Sequence, residues 1–184
     1  RVRPANNAEQ TLLHERASTA AYLAYQRAGS GDEEARALAV LGETLAARRL
    51  YRPALDAMRL ALDLREVADV RAAYEKLRAT RGFRLLDYTV DSDAVSPRIC
   101  FQFSEDLARR ADFSPYVTQG GVDSPALSSE NRQLCVEGLK HGERYNLHLR
   151  AGLPSAVAET LQKSAEFNIY VRDRKPFVRF TGRA

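Results

Sequence analysis

The hydrophobic period of this chain changes at Gly82. Before Gly82 the apolar residues recur at helical spacing, and after it they alternate with polar residues. Because a helix and a strand bury different sets of positions, neither pattern can serve the other structure. The change therefore predicts an α+β chain built from separate segments, with a helical domain in residues 1–82 and a β domain in residues 83–184.

Four helices are predicted in the first segment, with starts near Glu9, Asp32, Pro53 and Val67. Asp32 is expected to cap the second helix, because its carboxylate can accept a hydrogen bond from the free N–H groups of the first turn. Gly82 is expected to close the fourth helix. The first helix is expected to bury a narrow face of mostly small residues, namely Leu12, Leu13, Ala17, Ala20, Ala21 and Ala24.

The second and third helices carry the spacing of a tetratricopeptide repeat, whose period is about 34 residues. The matching residues are Leu38, Leu41, Gly42, Leu45, Ala54, Met58 and Ala61. Gly42 and Ala54 are small, so two antiparallel helices are expected to approach closely there. Only one good repeat is found, whereas an independent solenoid needs about three.

The helical segment therefore has two interpretations. It is a spacer that packs against the β domain, or it binds a peptide or a partner protein on one face. In the second interpretation Arg48 and Arg49 are the candidate partner-binding residues. A pair of arginines on a helix is more often a solvated face, so both interpretations stay open.

Seven strands are predicted in the second segment, at about Phe83–Asp91, Arg98–Phe103, Phe113–Thr118, Gln133–Glu137, Arg144–Arg150, Glu166–Arg172 and Phe177–Phe180. Many short strands separated by turn residues are typical of an immunoglobulin-like β-sandwich. Alternation assigns the core face to Ile99, Phe101, Phe103, Leu134, Val136, Tyr145, Leu147, Leu149, Phe167, Ile169 and Val171.

The two cysteines fall on the opposite face of their strands. Cys100 is out of phase with Phe101, and Cys135 is out of phase with Leu134. If the two strands are neighbours, a cross-strand disulfide on the outer face of one sheet is expected. Such a bond would fit an oxidising compartment. The alternative is two unrelated thiols in a cytosolic protein.

Other patterns argue against several functions. The net charge is +4 with interspersed charges, whereas nucleic-acid binders concentrate basic residues in a patch. No apolar run reaches the ~18 residues of a membrane-spanning helix. Cys100, Cys135, His141 and His148 lack zinc-ligand spacing, His148 is expected to face outward, and no GxSxG or nucleotide-binding glycine motif occurs. We therefore expect no enzymatic activity, cofactor, metal, nucleic-acid partner or direct membrane insertion.

Three stretches of the β segment resemble the N-terminal region of bacterial α2-macroglobulin family proteins. They are DYTVDSDAVSPRICFQFSEDL, RQLCVEGLKHGERYNLHLRAGLPS and YVRDRKPFVRFTGRA. The helical stretch from Ala35 to Phe83 is similar to the helical segment that precedes this β domain in some members. The resemblance covers roughly Ala35 to Ala184. At the level of fold alone, Pro97 to Glu105 and Tyr145 to Leu149 also look like bacterial immunoglobulin-like modules.

The family resemblance implies a periplasmic location, often with a lipid anchor upstream, and a role in blocking proteases that enter the cell envelope. Members with a thioester use a Cys-x-x-Gln motif, which neither Cys100 nor Cys135 begins. For this chain the resemblance implies a non-catalytic scaffold and interaction segment. Its partners would be downstream macroglobulin domains of the parent chain, host or foreign proteases, and cell-envelope proteins. The alternative function is a tetratricopeptide-type peptide- or protein-binding adaptor with no protease-inhibitor role.

Overall fold

The chain divides into two compact units, and the division falls between Gly82 and Phe83. The computed structural model describes residues 4–120, 122–123 and 125–174. The first unit contains helices, and the second contains antiparallel sheets. The predicted fold class, a helical module followed by a β-sandwich, is confirmed.

The helical unit consists of α1 (Pro4–Arg27), α2 (Gly31–Ala47), α3 (Tyr51–Leu64) and α4 (Ala68–Arg81), and consecutive helices pack on one another. The prediction that Asp32 caps α2 is wrong. Ser30 occupies the capping position, and its Oγ accepts a hydrogen bond from the Glu33 N–H at 3.4 Å. Asp32 instead lies inside the first turn, where its negative charge favours the positive end of the helix.

The helical core forms where α2, α3 and α4 meet, around Leu38, Leu55, Ala57, Met58, Ala61, Leu62 and Tyr74. Gly42 is buried in α2 against α3. A Cβ at this position would lie 2.5 Å from Met58 Cγ and 3.2 Å from the Ala54 carbonyl oxygen. The predicted close approach at Gly42 is therefore confirmed, while membership of the tetratricopeptide class stays a prediction.

The prediction for the buried face of α1 is wrong at four of its six residues, because Leu12, Leu13, Ala20 and Ala24 are exposed, while Ala17 is half-buried and Ala21 is buried. Leu12 is 46% exposed and Leu13 is 56% exposed. The face of α1 that packs against the rest of the unit contains Ser18 and Ala21, which are both buried, and Tyr25, which is half-buried one turn later. We refer to these three positions as the stripe. These three positions follow helical spacing, and Leu12 and Leu13 lie outside the stripe.

The β unit contains eight described strands. They are β1 (Leu85–Asp91), β2 (Arg98–Phe103), β3 (Val117–Gln119), β4 (Val122–Asp123), β5 (Leu127–Glu130), β6 (Gln133–Val136), β7 (Arg144–Leu149) and β8 (Ala165–Tyr170). One sheet has the order β1-β2-β6-β5, and the other has the order β4-β3-β7-β8. All of the pairs are antiparallel.

Two strand predictions differ from the structure. Half of the predicted strand Phe113–Thr118 is a 3₁₀ helix, Ser114–Tyr116, and the strand β3 begins only at Val117. Pro115 lacks the N–H that a ladder would need there. The sequence prediction also missed the two-residue strand β4 and the strand β5. The polar residues of β5 give no alternation, and this strand is held by backbone pairing with β6. The predicted strand Phe177–Phe180 lies outside the described residues.

The core between the two sheets is the one that alternation predicts. Ten of the eleven predicted residues are buried, and Phe167 is partly buried against them. Burying a large apolar side chain contributes roughly 1.5–3 kcal/mol, so this cluster is the main favourable term for the β unit. Phe83, the first residue of the unit, belongs to the same cluster and stacks on Phe103 with ring centroids 5.3 Å apart.

Candidate functional site

A disulfide joins the two central strands of the first sheet. Cys100 on β2 and Cys135 on β6 are bonded and are direct partners in the strand register. The predicted cross-strand bridge is therefore confirmed. Strand alternation places both residues on the face opposite Phe101 and Leu134, as expected from the sequence.

The bridge is covered although it lies on the outer face of the sheet. Cys100 is 7% exposed and Cys135 is 5% exposed. Thr89 on β1 is the register partner of Cys100, and Ser128 on β5 is the partner of Cys135. The disulfide thus lies in the middle of a four-residue row, with a strand on either side. The two edge strands therefore flank the disulfide on both sides.

The candidate partner-binding residues Arg48 and Arg49 form the turn that ends α2. Arg48 is the C-cap, and Arg49 follows it with a φ of 63°. The Arg49 N–H donates to the Ala46 carbonyl at 2.9 Å, and the Leu50 N–H donates to the Leu45 carbonyl at 3.0 Å. This pair of bonds is the Schellman motif, in which glycine usually occupies the left-handed position. A side chain in that conformation costs about 1–2 kcal/mol.

A cleft of about 480 Å³ opens beside this turn. It is lined by Gln10, Thr11, His14, Glu15, Ala47, Arg48, Arg49 and Leu50, and we refer to it as the Arg48–Arg49 cleft. The sequence predicted neither the cleft nor the contribution of α1 to it. Whether the two arginines bind a partner stays a prediction.

The two arginines differ in what holds them. Arg48 Nη1 donates to Ser18 Oγ at 2.8 Å, and Arg48 Nη2 lies 3.8 Å from Glu15 Oε1. The guanidinium of Arg49 is exposed and makes no hydrogen bond or ion pair with the described residues. Arg48 is thus positioned by α1, and Arg49 presents its charge to solvent at the cleft.

A second cleft, of about 570 Å³, lies on the polar face of the second sheet. Asn168 Nδ2 donates to Asn146 Oδ1 at 2.7 Å, and the register places His148 between Thr118 and Glu166. His148 faces outward, as predicted, because it alternates with the buried Leu147 and Leu149. The cleft is lined by hydroxyl, imidazole, carboxylate and amide groups, all of which can form hydrogen bonds.

Sequence reasoning missed one buried acid. Glu159 is 4% exposed, and its Oε2 accepts a hydrogen bond from the Phe83 backbone N–H at 2.6 Å. Ser155 Oγ donates to the Glu159 carbonyl at 2.7 Å and accepts from the Glu159 N–H at 3.2 Å. Glu159 therefore fixes the first residue of the β unit. Its loop has no periodicity, so no sequence signal could have found it.

One buried phenol also has a perturbed titration. Tyr145 accepts a hydrogen bond from the Lys140 N–H and donates one to Glu143 Oε2, each at 2.8 Å. Burial is the main cause that raises the pKa of Tyr145 above its ordinary value of 10.0. The phenol therefore stays neutral at physiological pH and serves as a structural hydrogen-bonding group.

Neither a metal site nor a membrane span is found in the part of the chain that the structure describes. Across residues 4–120, 122–123 and 125–174, no three His, Cys, Asp or Glu side chains are grouped to hold a metal ion. Of the residues considered for zinc, Cys100 and Cys135 are bonded to each other. No described helix is long and apolar enough to cross a membrane.

Solved structures similar to this chain include bacterial α2-macroglobulins. The Escherichia coli α2-macroglobulin structure spanning domains MG0-NIE-MG1 is 20% identical with a TM-score of 0.46, and the match covers 55% of this chain and 35% of that one. A Salmonella α2-macroglobulin reacted with methylamine is 24% identical with a TM-score of 0.47, and the match covers 58% of this chain and 7% of that one.

An S-layer protein, rSbsC(31-844), is 17% identical with a TM-score of 0.34, covering 94% of this chain and 24% of that one. No family model and no curated protein matches the chain. The chain thus spans about a third of the E. coli domain structure and a much smaller share of the Salmonella chain.

Proposed function

We propose that this chain is a non-catalytic scaffold and interaction segment at the N-terminal end of a bacterial periplasmic α2-macroglobulin-like protein. The parent protein would inhibit or trap proteases in the cell envelope. The three stretches that resemble this family support the proposal, and the disulfide joins two of them, since Cys100 lies in the first and Cys135 in the second.

The disulfide is the observation that carries the periplasmic part of the proposal. Structural disulfides persist in oxidising compartments such as the bacterial periplasm and are rare in the cytosol. This one is buried and connects the central strands of a sheet, so it serves the fold and is shielded from solvent. A buried bond of this kind fits a stable structural role better than a reversible redox role.

The proposed mechanism is architectural. A sandwich whose central strands are cross-linked resists deformation and can hold neighbouring domains at a fixed place. The partners of this segment would be the downstream macroglobulin domains of the parent chain, together with proteases and cell-envelope proteins. No cofactor and no catalytic residue is part of the proposal.

Intact mass and free-thiol counts test the compartment. The chain would be secreted to a bacterial periplasm and, separately, made in the cytoplasm, and each sample measured with and without reductant. We expect no free thiol in the periplasmic sample and two after unfolding in reductant. Two free thiols in the periplasmic sample would contradict the proposed location.

Deletion of residues 1–184 from the parent protein tests the inhibitor role. We expect the intact parent to slow the cleavage of a protein substrate by an added protease, and the deletion to weaken that inhibition. The matched control replaces Cys100 and Cys135 with alanine and leaves the segment in place. Equal inhibition by the intact and deleted proteins would limit this segment to folding and contradict an interaction role.

A second candidate function is a peptide- or protein-binding adaptor of the tetratricopeptide type. The observation that favours it is the Arg48–Arg49 cleft, which places an unpaired charge beside an open surface within the described helical unit. Saturable binding of a peptide that charge reversal at Arg49 abolishes would support this function. Binding that is unchanged by the reversal would contradict it.

A further inference from the structure

The charge of the Arg48–Arg49 cleft is unbalanced. Among its lining residues, Arg48 and Arg49 are cations and Glu15 is an acid. Glu15 already faces Arg48 across 3.8 Å. The charge of Arg49 therefore has no counterpart in the lining.

The cleft also offers an apolar contact. Leu50 follows Arg49 directly and is 41% exposed at the cleft wall. A ligand that matches both features carries a carboxylate next to an apolar side chain. An acidic peptide has this combination, whereas a nucleic acid would bring a dense row of phosphates close to the Glu15 carboxylate.

The backbone at Arg49 strengthens the case that its side chain matters. The left-handed position of this turn is one that glycine fills without strain, yet an arginine with a φ of 63° occupies it. Arg110, Asn131 and Ala158 also have a positive φ, so this conformation supports a role for Arg49 only together with its place at the cleft. Arg49 places a planar guanidinium at the cleft, and that group can hold a carboxylate through two parallel hydrogen bonds.

We propose that the Arg48–Arg49 cleft binds an acidic peptide segment of a partner protein. Arg49 holds a carboxylate of the peptide, and Leu50 contacts an apolar side chain next to it. Arg48, held by Ser18 and Glu15, forms the wall of the cleft beside Arg49. This inference rests on the adaptor function proposed above and specifies the chemistry of its ligand.

The second unit supplies a matched control. Arg109 and Arg110 form another arginine pair, and Arg110 also has a positive φ, of 58°. Replacing either Arg49 or Arg110 with glycine removes a charge and relieves a left-handed residue. Only the Arg49 change alters the Arg48–Arg49 cleft.

The experiment measures the binding of a fluorescein-labelled peptide, Glu-Leu-Glu-Glu-Leu-Asp, to the 184-residue chain by fluorescence anisotropy at low and at moderate salt. The control peptide replaces every acidic residue with its amide. The protein variants are Arg49→Gly, Arg49→Lys, the charge reversal Arg49→Glu, and Arg110→Gly. We expect the wild-type chain to bind the acidic peptide at least tenfold more tightly than the amide peptide.

We expect Arg49→Gly to weaken acidic-peptide binding at least tenfold while its thermal unfolding midpoint stays the same or rises. Arg49→Lys retains the charge and should recover part of the affinity, and Arg110→Gly should bind within twofold of wild type. Equal binding of both peptides, if lost on charge reversal at Arg49, would overturn the acidic specificity and leave the adaptor function standing. Wild-type affinity in Arg49→Gly, or binding of neither peptide, would overturn both.

Discussion

The contacts that stabilise the helical unit join elements that are adjacent in sequence, whereas those that stabilise the β unit join residues that are far apart in sequence. Consecutive helices pack on one another, and the close packing at Gly42 joins α2 to α3, the next helix along the chain. The β unit depends on remote links instead. Cys100 and Cys135 are 35 positions apart, and Phe83 and Glu159 are 76 positions apart. Single substitutions should therefore destabilise the β unit by removing a long-range bond, and the helical unit by disturbing the close packing between helices.

The largest expected effect is the removal of the disulfide. A closed loop of this length contributes roughly 4 kcal/mol by restricting the unfolded chain. We expect Cys100→Ala/Cys135→Ala to lower the unfolding free energy of the β unit by about that amount. Hydrogen–deuterium exchange measured by mass spectrometry should speed up in β-unit peptides only. Thr89→Ala, in the same cross-strand row, is the control. An equal loss of protection in the helices would contradict the expectation that the disulfide stabilises the β unit alone.

The next effect should come from Glu159. A buried hydrogen bond to a charged group contributes roughly 1.5–3 kcal/mol, so we expect Glu159→Gln to destabilise the β unit by about 1–2 kcal/mol. Glutamine keeps an acceptor for the Phe83 N–H but adds amide donors in a buried place. Urea denaturation gives the value, with the exposed Glu166→Gln as the matched change. Equal stability of the two variants would show that the anchor carries little energy.

An effect of comparable size should appear in the helical unit at Gly42. Because an added Cβ would lie 2.5 Å from Met58 Cγ, we expect Gly42→Ala to cost about 1–3 kcal/mol through overpacking. Gly31→Ala is the control, since nothing lies within 4 Å of its added Cβ. Faster exchange in α2 and α3 peptides of the Gly42 variant alone is the expected readout. Slower hydrogen exchange in both variants would mean that the higher helix propensity of alanine outweighs the steric overlap at position 42.

The smallest effect is a pH dependence confined to the β unit. The pKa of Tyr145 is raised by burial, so its contribution to stability is complete below its ordinary pKa of 10.0 and is lost as the pH rises through the higher folded-state value. We expect the unfolding free energy to fall at alkaline pH and the fall to be shallower in Tyr145→Phe. Tyr170→Phe, an exposed substitution, should leave the profile unchanged. A profile identical to wild type in Tyr145→Phe would refute this assignment.

The sequence was most informative where large apolar and small residues differ sharply. In β2 and β7, large apolar residues alternate with polar ones, so the core face and the phase of Cys100 could be derived from the pattern alone. Gly42 was equally clear, because a glycine among leucines at helical spacing marks a close approach. In α1 the many alanines give no such contrast. Leu12 and Leu13 were therefore predicted to be buried, but both are exposed.

The features at the candidate site were harder to predict, because they depend on the folded backbone. The conformation of Arg49 follows from how α2 ends, and arginine gives no sign of a positive φ. The cleft beside it needs α1, whose contribution is invisible until the helices are packed. Ser30 was passed over as a cap because Asp32 is also a good capping residue, and the choice depends on where the helix begins.

The hydrogen bond between Phe83 and Glu159 has a consequence for the order in which a growing chain becomes structured. At about 5–20 residues per second, a ribosome needs roughly 4–15 seconds to add the residues between them. During that interval all four helices have been synthesised and can pack, while the Phe83 N–H has no acceptor because Glu159 has not yet been added. A nascent chain would then carry a finished helical unit ahead of an open sheet, and that open sheet is the stage most exposed to aggregation.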